Sequence, residues 1–518
     1  MKKTECKMPA AMMEAIYKES TIKEHKGNPL LEALPKFVEA NEISEKFGRF
    51  PRISSAERLL PKADRTLLIS RLNNYLEPLP SHYEVIEKIN LIVRAGYAFR
   101  NPLDPAYRKS RTERYRNAMN GNICSIEASG PSTAPSFALF GTSGVGKSTV
   151  ADRTLSFLPQ VLNHSTFKFT QVTWLKVDCP LDGSLKQLLL GILSKFDALL
   201  DSSYRKQVSS HRTIDELILS VSNIAETHNL GVLVIDEIQN LLDASGVGQS
   251  KMLNFFVAFS NAKIPVVTIG TPRAMQMLTG TFREARRVGD HGTCIWNCLD
   301  KKEWKFFLRG LWRYQWTDKS VTLTDDLSDT MRDRTQGIHA LVVKLFQLTQ
   351  FEALRKNEPS ISKDLIIEVA DAKFKLVEPM LDALRRKNKK AIATYQDLLD
   401  TGIKDLSKQV DVDAKLGQLE ASAEKRDREY ERMNAACALV AMKFDEDRAQ
   451  DILGKLFNMH PDLTCERAVR LVLESTKRDN IAGGNGESLV EIVGEQSGTT
   501  PVRLLANAGL VANEGEKR

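Results

Sequence analysis

The sequence lacks any apolar run of about 18 residues, the length that marks a membrane-spanning helix, so a membrane partner is not expected. Its opening residues, MKKTECKMPA, hold no apolar core of the kind a secretory signal carries. Cysteine is scarce and odd in number: Cys6, Cys124, Cys179, Cys294, Cys298, Cys437 and Cys465 make seven. A scattered, odd set is no disulfide framework and points to a reducing compartment, with the cytoplasm as the expected location. His291, Cys294 and Cys298 lie close together, but no second pair at zinc spacing accompanies them, and a structural zinc site wants four ligands. Neither sign of charge dominates. The 73 Lys and Arg face 66 Asp and Glu, and the resulting +7 permits a nucleic-acid partner without demanding one. Internal repeats are missing too, as is the Asn-Lys-x-Asp element by which a GTPase reads its base.

What is present fits a globular protein, with 42% hydrophobic and 27% charged residues. At 518 residues the chain is too long for one core, and about 100 to 200 residues per domain gives three or four units. Residues 1–80 are broken by Pro29, Pro35, Pro51, Pro61, Pro78 and Pro80 and read as an irregular arm, which either docks on a partner or wraps its own domain. His82 to Arg94 follows a helical period. From Phe137 onward strands alternate with helices. Phe137–Phe140, Val172–Asp178, Val232–Ile235 and Pro265–Gly270 are the strand candidates, an α/β pattern that implies a parallel sheet covered on both faces. Past residue 300 the strand signals fade. Trp304–Trp312, Gly337–Leu354 and Leu365–Leu384 read as helices, and the charged stretch 403–432 as a helix or short coiled coil. Ile481–Gly486 is a flexible linker to a tail with small apolar clusters. The expected organisation is an arm at 1–80, an α/β core at 81–295, a helical lid at 296–400, a helical C-terminal region at 401–480 and a docking tail at 481–518.

The strongest motif is Gly141-Thr142-Ser143-Gly144-Val145-Gly146-Lys147-Ser148, followed by Thr149. It is a P-loop placed where one belongs, between a strand and a helix. Its glycines let backbone N–H groups face phosphates, Lys147 reaches the β- and γ-phosphates, and the Ser148 hydroxyl holds Mg²⁺. The helix N-terminus adds a favourable dipole. Next comes Val232-Leu-Val-Ile-Asp236-Glu237, an apolar strand ending in two carboxylates. After a P-loop, Asp236 organises Mg²⁺ and Glu237 polarises the attacking water, which favours ATP hydrolysis over transfer to a metabolite. The strand Pro265–Gly270 ends at Thr271, a candidate γ-phosphate sensor, although a capped strand end looks the same in isolation. Phe282-Arg283-Glu-Ala-Arg286-Arg287 follows. Arginines so clustered are usually a solvated helix face. In this order along the chain they fit the AAA+ class of P-loop ATPases, where Arg286 or Arg287 would enter a neighbouring subunit's site as an arginine finger.

Longer stretches resemble one family. They are Leu230 to Gln239, Met252 to Phe256, Ile269 to Pro272, Ala285 to Arg287, Thr335 to Ile338 and Val343 to Phe346, joined by Asn28 to Pro35, Lys176 to Cys179, Gly183 to Lys186 and Pro379 to Arg385. In this order they resemble the TnsC family, AAA+ regulators of TnsABCD-type transposons related to TniB, over residues 28–400. The resemblance implies ATP and Mg²⁺ as ligands and a homo-oligomeric ring or filament assembled on double-stranded DNA. It also implies transposase subunits of the TnsA and TnsB kind, and a target selector that is TnsD-like or RNA-guided. One departure stands out: the lid stretch Gly337–Gln350 holds Lys344 and no arginine, so a second sensor is unsupported. Two basic sites are candidates for DNA. One is Lys186 with Arg205, Lys206 and Arg212, in an insertion between Lys147 and Asp236; the other is Arg108 to Arg116. Solvated surface is the ordinary alternative for both. A replication initiator or helicase loader, and an ATP-gated scaffold that does not hydrolyse, are the competing readings.

Overall fold

The computed structural model describes residues 12–37, 40–119, 134–208, 212–242, 247–278, 292–388, 391–392, 395 and 409–482. The chain divides into two compact units. The first takes Met1–Glu39, Pro80–Cys298 and Arg386–Leu406; the second takes Ala40–Leu79, Leu299–Arg385 and Ser407–Arg518.

The first unit is built on a five-stranded sheet whose strands lie in the spatial order Trp174–Asp178, Val232–Asp236, Val266–Gly270, Ser136–Gly141, Thr293–Trp296. Its strands are β2 (Ser136–Gly141), β5 (Trp174–Asp178), β6 (Val232–Asp236), β7 (Val266–Gly270) and β8 (Thr293–Trp296). Every neighbouring pair is parallel. SFALFG, VLVID and VVTIG are buried at every residue, the near-continuous apolar sequence that a strand covered on both faces requires. Helices Leu185–Leu200 and Ile214–Thr227 pack Leu188, Ile192, Phe196, Leu217 and Val221 into one core with Phe255 and Phe259 of helix Val247–Asn261. Local signals set where they start. The Ser184 hydroxyl accepts from the Gln187 amide, and Thr213 forms a capping box with Glu216. Helix Pro80–Ala98 buries Tyr83, Ile86, Ile89, Val93 and Tyr97.

A second, three-stranded sheet of order β1-β3-β4 joins β1 (Met12–Glu14), β3 (Val161–His164) and β4 (Phe169–Val172). Here residues 12–37 of the N-terminal arm wrap the first unit, whereas residues 40–79 belong to the second. β1 pairs parallel to β3. Tyr17 Oη bonds His164 Nδ1 at 2.8 Å, His164 Nε2 bonds Gln171 at 2.8 Å, and Gln171 Nε2 donates to the Leu30 carbonyl. The stretch 172–178, read as one strand, is two: β4 ends at Val172 and β5 begins at Trp174. Thr173 takes the chain from one sheet to the other, its amide donating to the Gln160 carbonyl at 2.8 Å. β8 carries no alternation long enough to read from sequence.

The described part of the second unit is largely helical. Helices Lys301–Trp312, Asp325–Thr335, His339–Lys356, Lys363–Lys373 and Glu378–Arg385 come from its middle stretch. The expected single helix Leu365–Leu384 is broken. Phe374 closes the first piece, and Pro379, which lacks an amide hydrogen, sits in the opening turn of the next. The charged stretch becomes the 33-residue helix Gln409–Ala441, against which Glu446–Met459 and Cys465–Ala482 pack through Leu439, Leu453 and Val469. Helix His339–Lys356 runs past Gln350 and includes Arg355, which pairs with Glu352 in its last turns. The tail 483–518 lies outside the described residues. Among the described residues, no helix is long and apolar enough to cross a membrane.

Candidate functional site

Parallel strands bring the carboxyl ends of β2, β6 and β7 to one edge of the sheet, the edge at which ligands bind in open α/β sheets. Gly141 closes β2, and an added Cβ there would clash with the Trp296 carbonyl on β8, so glycine is needed for close strand contact. Gly144 and Gly146 have φ of +79° and +94°, the left-handed region that favours glycine. Gly146 caps helix Lys147–Leu155, and a Cβ built on it would meet nothing within 4 Å. Thr142 and Val145 are buried, whereas Ser143, Gly144 and Thr149 are exposed. Lys147 is buried, and its Nζ donates to the carbonyls of Gly141 at 2.8 Å and Thr142 at 2.9 Å. Ser148 stands half-buried in the first turn of the helix.

At the end of β6, Asp236 is only 3% exposed. Its Oδ1 accepts from the Glu237 amide at 3.0 Å, and its Oδ2 pairs with Lys176 Nζ at 3.0 Å. Lys176, on the adjoining strand β5, also reaches Asp152 Oδ1 of the P-loop helix at 2.8 Å. Burial pulls the Lys176 ammonium down, yet its bonds to Asp152 and Asp236 outweigh that and hold its pKa above lysine's ordinary value. The ammonium thus stays charged and clamps β5, β6 and the P-loop helix together. Sequence reading gave Lys176 no role; the available signal was a lysine inside an otherwise apolar strand. Nearby, burial and then the charges of Asp236 and Asp178 push the Cys179 thiol up to about 12, so it is no nucleophile at neutral pH.

Glu237 adopts φ +55°, an uncommon choice for a residue with a side chain, and is exposed. Its carboxylate accepts a hydrogen bond from Gln239 Nε2. The other end of that carboxamide, Oε1, accepts from the Thr271 amide at 3.2 Å. Thr271 is 4% exposed, and its hydroxyl has no hydrogen-bond partner among the described residues. Adjacent strands lie about 4.8 Å apart, so β6, β7 and β2 bring Asp236, Glu237, Thr271 and the Gly141–Ser148 turn together. The donor set suits its expected ligands. The Ser148 hydroxyl and Asp236 carboxylate offer oxygen only, which matches a hard cation such as Mg²⁺. The buried, unbonded Thr271 hydroxyl and the open space at Gly146 suit a phosphate chain.

Arg286 and Arg287, with Arg283, lie outside the described residues. Lys186 opens the 16-residue helix Leu185–Leu200, while Arg205 and Lys206 follow its far end. Arg205 donates to Ser194 Oγ at 2.6 Å and Arg212 to Ser220 Oγ at 2.7 Å. Lys206 is exposed. The other basic segment is the helix Pro105–Met119, on which Arg108, Lys109 and Arg116 are exposed.

Residues 129–278 match the family model for an AAA domain. The first unit has the AAA+ P-loop fold. Solved structures similar to the chain include the RuvB Holliday junction branch migration motor of Thermotoga maritima, at 14% identity over 52% of this chain and 68% of that one, with a TM-score of 0.28. Another is the ORC1 protein of Aeropyrum pernix in complex with DNA, at 13% identity over 62% and 84%, with a TM-score of 0.35. No curated protein matches the sequence.

Proposed function

We propose that this chain is a cytoplasmic, Mg²⁺-dependent ATP hydrolase that assembles with copies of itself on double-stranded DNA and links target-site selection to transposase recruitment. What carries the hydrolase reading is the meeting of Lys147, Asp236, Glu237 and Thr271 at the carboxyl edge of one sheet. The turn's amides and Lys147 bind the β- and γ-phosphates, with Lys147 exchanging its loop carbonyls for phosphate oxygens. Ser148 and Asp236 hold Mg²⁺, which supplies charge neutralisation at the phosphate oxygens. Glu237 orients a water and accepts its proton as the water oxygen bonds to the γ-phosphorus and the bond to ADP breaks. Thr271 donates to the γ-phosphate. Arg286 or Arg287 from a neighbouring subunit adds positive charge to the transition state, which makes turnover depend on assembly.

The transposition role rests on the ordered sequence resemblance to TnsC-like regulators. That likeness also supports transposase subunits and a target selector as partners, and the tail 481–518 as a docking segment. For DNA, a ring or filament repeats each of Lys186, Arg205, Lys206 and Arg212 along the duplex, so few contacts per subunit suffice. Glu237→Gln tests the reading, because the amide keeps the shape and loses the base. It should bind ATP normally, release phosphate at least about a hundredfold more slowly and remain on duplex DNA. Unchanged phosphate release would remove Glu237 from the chemistry, and equal DNA binding in ATP and ADP would remove ATP-gated assembly.

A further inference from the structure

We propose that Gln239 is a positioning residue that ties the aim of the Glu237 carboxylate to the position of Thr271, so that the catalytic base is set by the strand that senses the γ-phosphate. The inference rests on the hydrolase reading of this site and adds a coupling within it. Gln239 is the first residue of the short helix Gln239–Leu242, directly after β6. Its carboxamide spans two strand ends, donating through Nε2 to Glu237 and accepting through Oε1 from the Thr271 amide at 3.2 Å. The orientation of the amide is fixed by its neighbours, because a carboxylate can only accept and a backbone N–H can only donate. Few side chains meet both demands. An ionised Glu cannot donate, Lys and Arg cannot accept, and Leu can do neither.

The surroundings are shaped around this bridge. The Ile238 amide donates to the Ile269 carbonyl at 3.0 Å, which pins the turn to β7. Asn240 Nδ2 donates to the Cys179 carbonyl and pins it to the residue after β5. At Gly270 an added Cβ would come within 3.1 Å of Gln239 Oε1, 2.8 Å of Ile238 Cγ2 and 2.9 Å of Ala274 Cβ, so glycine there leaves room for the amide. Glu237 itself is exposed, and among the described residues Gln239 is the side chain that holds its carboxylate. On the other side, the buried Thr271 hydroxyl is unbonded within the described chain. A γ-phosphate that engages this hydroxyl acts on the residue whose amide holds Gln239. The displacement reaches Glu237 through one side chain.

The test uses the full-length protein with duplex DNA, once the unsubstituted protein has been shown to release phosphate; if it does not, the hydrolase reading fails before this proposal is reached. Gln239→Leu keeps the bulk and removes both bonds. It should leave ATP and ADP affinities within about twofold and lower kcat by roughly 10- to 100-fold, the scale of a misplaced catalytic group. Gln239→Glu places a second carboxylate beside the first, which raises the proton affinity of the pair and should move the acid limb of the kcat–pH profile upward by about one pH unit. Thr271→Val should cost much less in the Gln239→Leu background than in the unsubstituted protein, because the two act through one link. Wild-type kcat in Gln239→Leu, an unmoved acid limb in Gln239→Glu, or strictly additive losses in the double variant would each overturn the proposal. If Gln239→Leu lost ATP binding altogether, the kcat of Gln239→Glu would decide, since that side chain keeps the bulk and loses the donor to Glu237: an unchanged kcat overturns the proposal.

Discussion

The two units treat buried charge differently. In the first, Asp236, Lys176 and Asp152 meet where strands end and a glycine turn begins. In the second, Glu77 is 2% exposed and is held inside a helical unit by the Tyr75 hydroxyl at 2.5 Å and the Arg426 guanidinium at 2.7 Å. Arg426 in turn lies 4.0 Å from the centre of the Phe50 ring. Each cluster holds a buried carboxylate, Asp236 or Glu77, and each contains a shifted pKa value, so neither property marks a site by itself. Burial pushes the Glu77 carboxyl up against the pull of Arg426, while the Lys176 ammonium is raised by its two carboxylates in spite of burial. What separates them is the surroundings. Both carboxylates have both oxygens engaged, but beside Asp236 stand a buried hydroxyl with no partner among the described residues, a non-glycine residue at positive φ and a turn with open space. On the proposed hydrolase reading the first cluster serves a ligand, whereas the second holds together segments that are far apart in sequence.

The largest effect should come from Glu77→Ala. Removing one partner leaves the partly buried Arg426 guanidinium without its carboxylate and a void at the buried Glu77 position, which together cost about 3 kcal/mol or more. Urea unfolding followed by tryptophan fluorescence reads it, since Trp304, Trp312 and Trp316 all lie in the second unit. Replacing the pair together, as Glu77→Gln with Arg426→Met, should recover much of the loss. If Glu77→Ala unfolds like the unsubstituted protein, the strut role is wrong. The converse substitution is Lys147→Ala. It should weaken ATP binding by about a hundredfold, corresponding to roughly 3 kcal/mol of charge-assisted hydrogen bonding. It should leave the unfolding of the second unit where it was. Isothermal titration with ATP and Mg²⁺ measures the first effect, and unaltered affinity would detach the glycine turn from nucleotide.

The same contrast explains what could be read in advance. The strands β2, β6 and β7, the glycine turn and the Asp-Glu pair are local in sequence, and burial on both faces leaves them as uninterrupted apolar runs. The parallel α/β core was therefore legible to within a residue or two at those strands. Contacts set by strand order were not. Lys176 meets Asp236 because β5 lies beside β6, and Gln239 meets Thr271 because β6 lies beside β7; neither pairing has a spacing rule. The break at Thr173 was hidden because both flanking segments are apolar, and β8 was too short to show a period. In the second unit, 40–79 read as part of an irregular arm because its partners are hundreds of residues away: Arg58 donates to the Gln315 carbonyl, and Ser54 contacts Cys437. The break before Pro379 was visible in principle, since proline does not sit inside a helix without cost.

The smallest effect compares two histidines with buried ring nitrogens, one in each unit. His164 has both ring nitrogens engaged, by Tyr17 and Gln171. His339 is half-buried as a residue, yet both its ring nitrogens are shut off from water and have no partner among the described residues, with Phe307 edge-on at 5.2 Å. Burial lowers the His339 pKa from 6.5 to about 4. The sign follows from which state takes the proton. Between pH 6.5 and 4 the unfolded chain is protonated at this position and the folded chain is not, so stability falls as pH drops through that window. The contribution should be about 1 kcal/mol at pH 5.5 and approach about 3 kcal/mol near pH 4 as an upper bound. His339→Leu cannot take up a proton, so its unfolding midpoint should fall less than that of the unsubstituted protein between pH 7 and 5.5. His164 is also lowered by burial, but Gln171 opposes the shift, so His164→Leu should change that slope less while losing the link to the arm. Parallel pH slopes for His339→Leu and the unsubstituted protein would show that the His339 ring finds a proton acceptor or water in solution, and the contrast between the two histidines would vanish.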